Sequence, residues 1–72
     1  MDFNTQAVRR LGFDSYASNL VVNLLENGQL TDGYRFENEI YSVSVTKVKN
    51  NYSVCVRAYV DGMGWQTADL IF

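Results

Sequence analysis

One cysteine, Cys55, stands among eight acidic and six basic side chains, in a chain that contains no histidine. The missing histidine removes the commonest general base and the commonest zinc ligand together. Cys55 has no imidazole to draw off its proton, and a small buried or half-buried hydrophobe is the expected role of such a thiol. The serines have no base partner and no strand-turn-helix elbow around them. Glu37 and Glu39 lie close together, but two carboxylates beside a turn read as solvated surface, and so short a chain hardly frames a sugar cleft. The glycines form neither a phosphate loop nor a dinucleotide fingerprint. Asp32-Gly33 and Asp61-Gly62 are turn signals without the repeated oxygen ligands of a calcium loop. The expectation is no catalytic residue, no metal and no cofactor.

Side chains suited to binding are better represented. Tyr, Trp and Arg dominate binding hot spots, and Arg57, Tyr59, Met63, Trp65 and Asp69 fall within one short stretch. These five are the candidate partner-binding residues. Trp65 has two readings: a lid folded over the end of the core, or an exposed anchor whose indole N–H suits a partly wet interface.

Hydrophobic periodicity defines the elements that position them. Asn4 or Thr5 can cap a first helix through Leu11, with Ala7, Val8 and Leu11 at helical spacing and Gly12 ending it. Asp14 or Ser15 then caps a second helix running to about Asn27 and closed by Gly28. Its apolar stripe is Ala17, Leu20, Val21, Leu24 and Leu25, with Phe13 packing just before it. One helix bent at Gly12 is the alternative.

Beyond Gly33 the pattern alternates. A strand from Glu39 to Lys49 turns at Asn50-Asn51, residues tolerant of positive φ. That turn sets Lys49 opposite Tyr52, Val45 opposite Val56 and Val43 opposite Ala58. A one-residue slip would scatter the apolar groups over both faces. The next turn lies in residues 61–65. A four-residue loop would bury Asp69, whereas a five-residue loop pairs Ala58 with Ala68 and Val56 with Leu70, and sets Arg57 against Asp69 on the other face. Residues 34–37 add a fourth strand if Phe36 faces Tyr41 and Tyr34 faces Val43 on the core side.

The expected fold is therefore α+β: one domain, residues 1–72, helical over 4–28 and sheet over 34–72. The N-terminal helical unit packs on one face of a three- or four-stranded antiparallel meander. The opposite face displays Ser42, Ser44, Thr46, Val48, Ser53, Cys55, Arg57, Tyr59, Thr67, Asp69 and Ile71, with Trp65 at the edge of the loop. Such a face is either a plain solvated surface or a recognition surface centred on Tyr59 and Trp65.

Composition sets the functional class. The chain has 72 residues, 47% of them hydrophobic and 19% charged, so it folds, with a small core. Lacking a second cysteine, a signal-like N-terminus and a long apolar run, it reads as cytoplasmic. Its net charge of −2 disfavours nucleic acid as a partner. A protein partner is expected, and a homodimer is compatible with a core of this size.

The resulting expectation is a non-enzymatic protein-binding module, a small inhibitor or adaptor docking on a larger protein. Compact, acidic, cysteine-poor α+β domains are also a format used by phage- or mobile-element-encoded inhibitors of host defence systems such as CRISPR nucleases. The alternative is a winged-helix-like transcription regulator, with Ser15, Tyr16, Ser18 and Asn19 on a recognition helix and a hairpin as wing. A small-ligand carrier would need a pocket between helices and sheet.

Overall fold

The computed structural model describes residues 5–72. Two helices, α1 (Thr5–Leu11) and α2 (Phe13–Glu26), precede four strands, β1 (Arg35–Glu37), β2 (Tyr41–Val48), β3 (Asn51–Val60) and β4 (Gly64–Ile71). The strands form one antiparallel sheet in the order β1-β2-β3-β4. This is the α+β meander expected, with its fourth strand present.

The helices meet at Gly12, whose φ of 86° is open to glycine at little cost. Gly12 closes α1 by donating its N–H to the Val8 carbonyl and opens α2 by accepting from the Tyr16 N–H. The chain therefore has two helices rather than one bent helix. It also corrects the expected start of α2, because Gly12 rather than Asp14 or Ser15 occupies the N-cap and no side chain caps it. Asp14 lies in the first turn instead, where its charge complements the helix dipole. Of the two caps expected for α1, Asn4 falls outside the described residues and Thr5 is the first residue of the helix itself. At the other end, Gly28 donates to the Leu25 carbonyl and Gln29 to the Leu24 carbonyl. These paired bonds make a Schellman close, with Gly28 at φ 71° in the left-handed position.

The core lies between the helices and one sheet face. Val8, Phe13, Ala17, Leu20 and Val21 come from the helices, and Tyr41, Val43, Val45, Val54, Val56, Ala58, Val60 and Ala68 from the sheet, with Leu30 between them. Its fully buried larger side chains are all valines, and those on the strands, Val45, Val54, Val56 and Val60, carry the branched Cβ that suits a pleated surface. α2 approaches the sheet most closely over β4, and both elements bring an alanine to the core, Ala17 and Ala68. Leu25, expected in the stripe, is instead 55% exposed. It sits 100° further round the helix than Leu24, past the arc that the sheet covers.

All three hairpins are displaced by two residues from the expected registers. Val43 faces Val56 and Tyr41 faces Ala58, so the β2–β3 turn is Lys49-Asn50 rather than Asn50-Asn51. Lys49 takes the positive φ, 57°. The β3–β4 loop has three residues rather than five: Val60 faces Gly64, Val56 faces Ala68 and Val54 faces Leu70. Met63 donates to the Val60 carbonyl to close that turn, with Gly62 at φ 80°. In the first hairpin Phe36 faces Val43, and Val45 donates to the Tyr34 carbonyl. A shift of two conserves the inward and outward sets, so the faces stand while the partners change. Phe36 does lie on the helical side of the sheet, but 45% exposed rather than buried.

Candidate functional site

The shorter β3–β4 loop brings the outer-face aromatics together. Tyr59 and Trp65 are directly opposed. The Tyr59 N–H is spent on Ile40, away from β4, so Tyr59 and Trp65 form a non-hydrogen-bonded pair, where side chains approach most closely. Their ring centroids lie 5.8 Å apart at an interplanar angle of 73°, an edge-to-face contact. Arg57, two residues back on the same face, reaches diagonally so that its guanidinium carbon lies 5.1 Å from the Trp65 ring centre. Arg57, Trp65 and Tyr59 thus form one contiguous cluster.

This group is open to solvent. Trp65 is 51% exposed and lies on the outer face, so it is an exposed aromatic and not a lid over the core. Thr67 is exposed beside it, and Val48 and Ile71 add exposed apolar area further along that face. Ser42, Ser44 and Ser53 are half-buried. Met63 sits in the turn, where the Gln66 side-chain amide donates to its carbonyl. On the helical side, the Arg9 guanidinium lies against Gly62, where an added Cβ would meet Nη2 at 2.6 Å. That contact between α1 and the turn has no signature in the sequence, because it depends on how the helices seat on the sheet.

Asp69 does not pair with Arg57 as expected. It faces Cys55, and Thr67 faces Arg57. Burial pushes the Cys55 thiol up from its ordinary range, and Asp69 adds to the effect as hydrogen-bond partner and as a negative charge; Arg57 pulls the other way. A thiol held protonated is a weak nucleophile and a weak ligand. No group of three or more potential metal ligands occurs among the described residues.

Two other surfaces bear on the alternatives. Of the residues assigned to a recognition helix, Tyr16 packs against the core, Ser18 is half-buried, and Ser15 and Asn19 are exposed. Between the end of α2 and the β1 edge lies a shallow hollow of about 150 Å³ lined by Leu24, Gln29, Tyr34, Phe36 and Tyr41. Small-molecule sites usually enclose roughly 300–1,000 Å³, so the hollow is small for a carrier. Among the described residues, no helix is long and apolar enough to cross a membrane.

No family model, curated protein or solved structure matches the chain. Fold and surface define a small α+β domain with an antiparallel sheet whose outer face carries an arginine–aromatic cluster.

Proposed function

We propose that the chain is a non-enzymatic protein-binding module that docks through the outer face of its sheet, centred on Tyr59, Trp65 and Arg57. The observation that carries this reading is the exposed cluster in which Arg57 lies over the Trp65 ring and Trp65 meets Tyr59 edge to face. Aromatic and arginine side chains carry most of the energy of protein interfaces. Here they are held in one geometry by two paired strands, which lowers the ordering cost of docking. Met63 extends the surface at the turn, and Asp69 extends it along β4.

In its finer form, the module is a cytoplasmic inhibitor or adaptor of the kind mobile elements direct against host defence nucleases. This finer form rests on an analogy of format, a compact, mildly acidic, cysteine-poor α+β domain, and on no single residue. The test is a pull-down from native lysate with the wild-type chain and with Tyr59→Ala and Trp65→Ala. The expected result is a stoichiometric partner captured by wild type and lost from both variants, with thermal unfolding showing that each variant folds. A partner retained equally by both variants would remove this surface from consideration, and no partner at all would remove the function.

A further inference from the structure

The two edges of the sheet are built differently. The β1 edge is three residues long, and beyond it the Lys47 N–H of β2 is occupied by the Asp32 carboxylate at 2.8 Å. That edge is short and stoppered, as natural sheets usually arrange. The β4 edge is eight residues long. It contains no proline and no lysine, and its one charged residue is Asp69. Its even-numbered residues bond to β3, as the reciprocal bonds between Tyr52 and Phe72 at the end of the ladder show. The N–H and C=O groups of Trp65, Thr67, Asp69 and Ile71 therefore point away from the sheet. Among the described residues, no backbone partner takes them. All four side chains are exposed, Ile71 at 69%.

We infer that this edge pairs with the same edge of a second copy, antiparallel about a two-fold axis at Ala68. Among the two-fold registers, the one centred there sets Trp65 opposite Ile71 of the second copy and Thr67 opposite Asp69 of the second copy. Apolar meets apolar, and a hydroxyl donor meets a carboxylate. Centring on Thr67 would instead set Trp65 against Asp69, and centring on Asp69 would oppose two carboxylates. In the register centred on Ala68 the edge is thus self-complementary, as a two-fold interface requires. Each opposed pair exchanges both of its outward hydrogen bonds, the mode by which an added strand binds an open edge. The two four-stranded sheets become one continuous sheet. Its axis runs perpendicular to the sheet, so both Arg57–Trp65–Tyr59 clusters face the same side.

Sedimentation velocity of the purified chain over a concentration series tests this without any partner, so its outcome is independent of the docking surface. The expected result is a concentration-dependent shift to twice the protomer mass. Thr67→Pro deletes an outward N–H and removes no hydrogen bond of the β3–β4 ladder. It should return the chain to a monomer. Ile71→Lys places a charge on a side chain already in water, and should weaken the dimer at least tenfold with unfolding unchanged. Thr67→Lys sets an ammonium opposite Asp69 of the second copy at two symmetric positions, and should tighten the dimer several-fold. A wild-type monomer at every concentration overturns the inference. So does a dimer indifferent to both Thr67→Pro and Ile71→Lys, and a dimer weakened by Thr67→Lys overturns the register.

Discussion

Tyr59 and Trp65 hold one another in place as much as they offer a surface. An edge-to-face pair contributes about 0.5–1.5 kcal/mol beyond burial, and a guanidinium over an exposed indole adds about 0.5–1 kcal/mol. A double-mutant cycle on Tyr59 and Trp65, read by denaturant unfolding, should return a coupling of about 0.5–1 kcal/mol. Strict additivity would show that the stack is not populated in solution. Cys55 offers a second measurement at this scale. Its thiol is held up by burial and then by Asp69, so Asp69→Asn should lower its pKa and quicken alkylation near neutral pH. The pH–rate profile of modification checks this, and an unmoved profile would place Asp69 out of reach. Membership of the outer face was legible for Arg57, Tyr59, Cys55 and Asp69, because strand alternation assigns faces by parity, but not for Trp65, which the longer expected loop kept out of β4. Adjacency was not. Whether Trp65 meets Tyr59, or Asp69 meets Arg57, depends on the length of one loop.

Those loop lengths belong to the elements, and here the turns decided what side-chain patterning left open. Alternation penalises an odd slip heavily and an even slip hardly at all. The discriminating facts were backbone facts: Lys49 rather than Asn51 takes the left-handed conformation, and Gly62 closes a shorter loop. A lysine at φ 57° is held against its own preference. Lys49→Gly should therefore stabilise the protein by about 0.5–1 kcal/mol in thermal or denaturant unfolding. Had the turn fallen at Asn50-Asn51, the substitution would cost stability instead. Gly62→Ala argues the opposite way. The added methyl would meet only the mobile end of Arg9, so the cost is chiefly the positive φ, about 1–2 kcal/mol. The helices were more legible, since Gly12 and Gly28 punctuate them clearly. The start of α2 was misplaced because a glycine with no side-chain cap serves as its N-cap.

At the scale of the whole molecule, a valine-rich core carries a chain whose total stability is of the order of 4–11 kcal/mol at its length. Val54→Ala or Val56→Ala, each at a fully buried position, should cost about 2–3 kcal/mol from lost transfer energy and the cavity left behind. A loss of that size is a large share of the total and lowers the denaturant midpoint visibly. Tyr41 links stability to pH. Burial, with smaller effects from Tyr34 and Tyr16, raises its hydroxyl above the ordinary phenol range. The unfolded chain then ionises first. Stability is whole below about pH 10 and is lost as pH climbs towards the folded-state value. Tyr41→Phe should flatten that alkaline limb in denaturant titrations, and an unchanged limb would exclude Tyr41 as its source. The fold class was legible at this scale because the apolar residues change period once, from helical to alternating. The hollow beside Phe36 was not, because it depends on where the helices stop covering the sheet.

The chain has a single tryptophan, and it stands on the sheet face that the helices leave free. The molecule therefore carries its own optical reporter at the proposed docking surface. Covering Trp65 would move its emission to the blue and shield it from acrylamide, whereas a ligand lodged in the hollow beside Phe36 would leave the spectrum alone. A titration in an ordinary fluorimeter can thus tell which side of the sheet a binder has chosen, with no label attached.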